Sequence, residues 1–166
     1  MNILLVGAGA VGQAYGRHLQ LGGAKISFLV REQYAEGCRA GLMLYPLNRP
    51  KATRWQPVPL ERFGVLTGLE EVAAHTWEQV WLCISSTALQ GPWLAEFLEA
   101  LGTATLVFLQ PGLRDRDALL EHWPTDRLVQ GLITLLSYQA PLPGEHVPQP
   151  GVAYFFPPLS ATPFTG

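Results

Sequence analysis

The chain has 166 residues, the length of one domain with at most a small appendage. It is 48% hydrophobic, enough for a substantial core, yet only 14% charged, against roughly a quarter in ordinary globular domains; surface covered in the working protein, by a further domain or a second copy, is the expectation. A net charge of −2 removes the electrostatic case for nucleic acid or an anionic membrane as a partner.

Asn2 to Val6 form a short apolar run without alternation, which predicts a buried strand of the parallel type. The run Gly7-Ala8-Gly9-Ala10-Val11-Gly12 follows, and Val11 to Leu21 is predicted as a helix. Three glycines at this spacing between strand and helix make the G-x-G-x-x-G fingerprint of a dinucleotide site. The first glycine makes the tight turn. The second lets backbone approach a pyrophosphate, and the third lets helix and strand pack closely. The helix start then offers free N–H groups and partial positive charge to phosphates. A glycine-rich turn that binds nothing explains one of these glycines well and three poorly. Ala8, Ala10 and Val11 join the glycines as candidate cofactor contacts through their backbone.

Gly22 and Gly23 stop the helix, and Lys25 to Val30 is the second predicted strand. Arg31 ends it, nineteen residues after Gly12. An NAD-type site has an Asp or Glu here to accept from the ribose hydroxyls. A guanidinium instead pairs with a 2′-phosphate through parallel hydrogen bonds and stacks on adenine. Arg31 therefore points to NADP(H). Glu32 is the competing residue, and an extended backbone turns it away if Arg31 points in.

Further along, residues 32–40 are predicted as a short helix, and 41–45 and 52–58 as short strands around the Pro46–Pro50 turn. Residues 69–75 predict a helical turn and 79–84 a buried strand. Residues 92–101 form an amphipathic helix with Pro92 near its first position, where a missing N–H costs little. Residues 105–109 are another buried strand, and Asp115 is a candidate cap for a helix to about His122. Residues 128–136 and 152–156 are late strands joined by a proline-rich stretch. Strands alternating with helices predict an α/β fold: a Rossmann-type, doubly wound, mostly parallel sheet with helices on both faces.

The extended opening Gly12-Gln13-Ala14-Tyr15-Gly16-Arg17-His18-Leu19, with Phe28-Leu29-Val30-Arg31, resembles the N-terminal domain of the ketopantoate reductase family. Thr87-Ala88-Leu89-Gln90 is similar to that family's Lys-Ala-aromatic-Gln stretch. Leu109-Gln110-Pro111-Gly112-Leu113 stands in the place of a Leu-Gln-Asn-Gly motif, and Pro150-Gly151-Val152 resembles its late strand start. The resemblance implies NADPH-dependent reduction of a small-molecule 2-keto acid by hydride transfer. Thr87 stands where the family has lysine, and Pro111 where it has asparagine. Threonine supplies no charge for a keto oxygen or carboxylate, and proline removes an amide side chain and a backbone N–H. The family's C-terminal helical domain, which supplies the proton-donating lysine, has no counterpart in these residues. The expectation is one dinucleotide-binding domain, inactive by itself.

Ser85, Ser86 and Thr87 follow the fourth parallel strand at the edge where cofactors lie; they are candidates for ribose or phosphate contact and equally for a helix cap. Gln110 is a candidate for the nicotinamide side. His18, His75, His122 and His146 have no spacing partners, and no catalytic residue is assigned. Cys38 and Cys83 show no zinc-ligand spacing, and Cys83 reads as a small core residue. Trp55, Trp77, Trp81, Trp93 and Trp123 read as core and covered surface rather than as a stacking platform. The start carries no basic signal-peptide region, and no apolar run reaches membrane-span length, so a cytoplasmic protein is expected. Two other readings compete with the reductase domain: a non-catalytic nucleotide-binding sensor or scaffold, favoured by Thr87 and Pro111, and a Rossmann enzyme using FAD or S-adenosylmethionine.

Overall fold

The computed structural model describes all 166 residues, apart from the side chain of Leu113. The first half of the chain forms β1 (Asn2–Val6), α1 (Ala10–Leu21), β2 (Lys25–Leu29), α2 (Glu32–Arg39), β3 (Leu42–Pro46), β4 (Val58–Leu60), β5 (Gly64–Leu66), α3 (Leu69–Ala73) and β6 (Gln79–Leu82). The second half forms α4 (Trp93–Ala100), β7 (Thr105–Phe108), α5 (Leu113–Leu120), β8 (Leu128–Gly131), β9 (Leu136–Ala140), β10 (Gly151–Phe155) and β11 (Phe164–Thr165). The main sheet has seven strands in the order β11-β8-β7-β6-β1-β2-β5. All pairings in it are parallel except that of β11 with β8. Strand order reverses beside β1, which opens the crevice where α/β sheets bind ligands.

Both faces of the central strands are covered, which is why their sequences run apolar without alternation. Leu4, Val6, Val80, Leu82, Leu106 and Phe108 face α3, α4 and α5, meeting Val72, Phe97, Leu98 and Leu119. Ile3, Leu5, Ile26, Phe28, Trp81 and Val107 face the other way, onto α1 and a second sheet. The fold is thus the Rossmann-type, mostly parallel sheet that the alternation of elements predicts.

The second sheet was not expected. Its four strands run β4-β3-β10-β9, with β3 and β10 parallel and the other pairs antiparallel. Leu44, Val152 and Tyr154 turn toward α1, while Tyr45 and Ala153 turn away and pack with Leu47, Trp55 and Val147 from the adjoining loops. The strand predicted over 52–58 is a turn until Val58, because the Thr53 and Arg54 N–H groups both bond the Pro50 carbonyl. The strand predicted over 128–136 breaks at Gly131. A Cβ there would lie 2.7 Å from Phe164 and 2.8 Å from Leu109, so β11 docks where the glycine leaves room. The chain then leaves the main sheet and restarts as β9 in the second. Gly112, not Asp115, sits at the cap of α5; Asp115 lies in its first turn and accepts from the Ser86 hydroxyl at 2.6 Å.

Candidate functional site

The three glycines of the opening motif do three different jobs. Gly7 has φ +98°, a backbone state that L side chains avoid, and its N–H donates to the Leu29 carbonyl at 2.9 Å, tying the loop to β2. Gly9 caps α1 and has no heavy atom within 4 Å of the position a Cβ would take, so the loop is open on that side. Gly12 is the close approach: a Cβ there would fall 2.1 Å from the Gly7 carbonyl oxygen. The first turn of α1 carries no acidic residue and no side-chain cap. Its N–H groups therefore have no partner from their own helix or cap.

These residues border a cleft of about 840 Å³. Gly7, Ala8 and Gly9 form its floor, and Ala10, Val11 and Gly12 begin the helix behind them. Arg31, the N-cap of α2, lines the cleft from the β2 side. It is exposed, has no ion pair, and is the one charged residue on the cleft wall among the described residues; Glu32 does not line it. Thr67 and Leu69 follow β5 on the same side, and Ser85, Ala88 and Trp93 close the wall beyond β6.

The residues after β6 divide. Ser85 lines the cleft, and its hydroxyl accepts from the Ala88 N–H at 3.3 Å, capping a single helical turn over Ser86–Leu89. Ser86 is turned to Asp115, and Thr87 is exposed; neither lines the cleft. Gln110 is buried on the seam between β6 and β7. Its amide nitrogen donates to the Leu82 carbonyl at 3.2 Å and to that of Ile84, and its oxygen accepts from the Leu109 N–H at 3.1 Å. With those bonds made, its side chain does not reach the cleft wall.

Both cysteines line the cleft. Cys83 falls just past β6 rather than inside it, and burial pushes its thiol up to about 12. Burial also raises Cys38, with Arg39 pulling the other way. None of the four histidines lines the cleft. His18 stands edge-on to Phe156 at 4.8 Å and Tyr154 at 5.6 Å, and burial, then the Arg17 charge, holds its imidazole below the usual range. Among the described residues no helix is long and apolar enough to cross a membrane, and no three metal-ligating side chains group together.

Sequence reasoning missed Gln13, Thr67 and Trp93 on the cleft wall. Gln13 was readable as a polar residue between the two packing glycines of α1, Gly12 and Gly16. Trp93 is half-buried against the core as well as on the cleft wall, with its ring nitrogen donating to the Ala88 carbonyl at 3.0 Å.

A family model described as ketopantoate reductase PanE/ApbA matches residues 3–146. No curated protein matches the chain. Among solved structures, 2-dehydropantoate 2-reductase from Geobacter metallireducens superposes with a TM-score of 0.72 at 24% identity, over 99% of this chain and 48% of that one. A PanE/ApbA family ketopantoate reductase from Ralstonia eutropha gives 0.66 at 23% identity, over 84% of this chain and 44% of that one. A D-mandelate dehydrogenase, solved with NADH and anilino(oxo)acetate, gives 0.67 at 15% identity, over 94% and 45%. At these identities the likeness is one of fold, and this chain spans about half the length of each of the three. The match over residues 3–146 carries more: the chain belongs to the ketopantoate reductase PanE/ApbA family.

Proposed function

We propose that this chain is the NADP(H)-binding part of an oxidoreductase that reduces a small 2-keto acid. One observation carries the reading: a backbone cradle of free N–H groups opens into a cleft whose single charged side chain among the described residues is an arginine without an ion pair. The cradle suits a diphosphate, since Gly9 leaves open space where any other residue would project. In this reading the backbone of Gly7, Ala8, Gly9, Ala10, Val11 and Gly12 holds the diphosphate, and Arg31 takes the 2′-phosphate. Among the described residues no carboxylate lines the wall to accept from a free 2′-hydroxyl or to repel that phosphate. Ser85 offers a ribose a hydroxyl on the wall beyond β6, and the buried Gln110 supports the site from beneath by bracing the ends of β6 and β7.

The nicotinamide of a bound cofactor supplies the hydride. Among the described residues the cleft wall holds no lysine, histidine or carboxylate to exchange a proton with the product alkoxide or to fix a substrate carboxylate. Thr87 is exposed and Pro111 carries no amide. Those duties therefore fall to groups outside these residues, from a C-terminal domain or a second copy packed over the cleft. Leu132, just past the carboxyl end of β8, and Leu136, which opens β9, are 53% and 66% exposed, surface that such a neighbour would cover.

Fluorescence titration with NADPH and NADH tests the assignment. Preference for NADPH supports it, and equal or absent binding of both removes it. A second reading, a non-catalytic sensor of the same nucleotide, is favoured by Thr87 and Pro111. NADPH oxidation with a panel of 2-keto acids, measured with a full-length family partner domain fused to this chain, separates the two: turnover with any substrate ends the sensor reading.

A further inference from the structure

Two buried side chains in the described structure are polar, Gln13 and Gln110. Gln110 uses both ends of its amide. Gln13 uses one. Its Nε2 donates to the Ala8 carbonyl at 2.7 Å, while its Oε1 is buried with no partner. The Ala8 carbonyl can only accept, so the amide cannot be turned over to relieve this. The residue is 5% exposed and lines the cleft. A buried acceptor without a donor is uncommon in folded proteins, and this one belongs to a residue that lines a cleft a ligand is to fill.

The face of α1 that carries Gln13 is fixed by a second residue. Gln20, two turns on and on the same face, donates to the carbonyls of Glu61 at 2.6 Å and Arg62 at 3.2 Å, in the connection between β4 and β5. That face therefore looks toward the β2–β5 end of the main sheet, the end where Arg31 stands. Tyr15 turns the other way, to Trp81 on β6. A nucleotide with its adenosine phosphate on Arg31 passes its adenosine ribose along the Gln13 side.

We propose that Gln13 determines specificity for the adenosine half: its Oε1 accepts a hydrogen bond from the ribose 3′-hydroxyl, while its Nε2 holds the Ala8 carbonyl turned inward. The inference rests on the nucleotide reading above. A 2′-phosphorylated ribose keeps one hydroxyl donor, and among the described residues the cleft wall has no carboxylate to take it. The unspent acceptor on Gln13 matches that single donor. The inward pull on Ala8 leaves the N–H groups at the helix start facing the diphosphate.

The test is calorimetric titration of the intact chain with NADPH, 2′,5′-ADP and 3′-deoxy-2′,5′-ADP. Removing the 3′-hydroxyl is expected to weaken binding to the unaltered protein by about five- to tenfold. Gln13→Leu is expected to bind 2′,5′-ADP more weakly and to bind the two ADP analogues within about twofold of each other, because the acceptor is gone. A purely structural role for Gln13 lowers affinity for both analogues without removing the difference between them, and so overturns the proposal. Equal binding of the two analogues by the unaltered protein overturns it without any variant having to fold. If neither NADPH nor 2′,5′-ADP binds, the nucleotide reading itself fails and takes this inference with it.

Discussion

A methyl group added at Gly12 and one added at Gly9 should have opposite consequences. At Gly12 the new Cβ would lie 2.1 Å from the Gly7 carbonyl oxygen and 3.2 Å from the Cys83 Cβ. The oxygen is backbone and belongs to a turn held by its bond to Leu29, so it has no rotamer by which to step aside. Either α1 or the turn must retreat by roughly 1 Å, which places the cost at the upper end of ordinary overpacking, about 3 kcal/mol. For a chain of this length that lowers the melting temperature by roughly 6–12 °C. At Gly9 nothing lies within 4 Å, and φ is −74°, comfortable for alanine. Gly9→Ala should cost no more than about 1 kcal/mol, the loss of a tolerable cap. Its methyl nevertheless occupies the open side of the cradle, so NADPH affinity should fall about tenfold or more, equivalent to ~1.4 kcal/mol. Thermal melts followed by circular dichroism and NADPH fluorescence titrations on both variants separate the effects. A Gly12→Ala melt within about 2 °C of the unaltered protein refutes the packing argument. Unchanged NADPH binding by Gly9→Ala refutes the placement of the diphosphate.

Arg31→Ala should weaken NADPH by about tenfold or more beyond the loss for NADH, because the charge-assisted pair to phosphate is lost from NADPH alone while stacking on adenine is lost from both; parallel losses for both cofactors would mean that the guanidinium reads no 2′-phosphate. Gln110→Ala should destabilise the fold by about 1–3 kcal/mol, since the Leu82 and Ile84 carbonyls lose their donor at the ends of the strands, and urea denaturation with an unchanged midpoint counts against that role. The native thiols should react with iodoacetamide more slowly than free cysteine from pH 7 to 9, because burial raises both Cys38 and Cys83. The same shift at Cys83 has a sign for stability. Below about pH 9 both states keep the proton; between its ordinary value of 9.0 and about 12 only the unfolded chain ionises, so stability falls as pH rises through that window. A Cys83→Ala variant whose melting temperature declines with the same slope above pH 9 would remove that contribution.

The parallel half of the fold was legible because its strands are short apolar runs and its turns carry glycine where geometry requires it. The Gly7-Gly9-Gly12 spacing also carried the centre of the site, since each glycine answers a separate local demand. The second sheet was hidden for a different reason. Leu42–Pro46 and Gly151–Phe155 read as strands, but nothing local says that they pair with each other rather than with the main sheet. Gly131 concealed the break between β8 and β9 in the same way, because the ring that displaces its side chain, Phe164, arrives from the far end of the chain. Gln110 and Asp115 were open to more than one reading as sequence, and their placement depends on carbonyls and hydroxyls brought in from β6 and the turn after it.

The parallel pairing of Leu44 with Val152 has a consequence for synthesis. Strands β1, β2, β5, β6 and β7 all lie within the first 108 residues and can associate as the chain leaves the ribosome. The outer flank of α1 must wait for β10, some forty residues later, with its apolar side uncovered until then. Closing so long a loop makes this the slow step of maturation and the interval in which a nascent chain most needs a holdase.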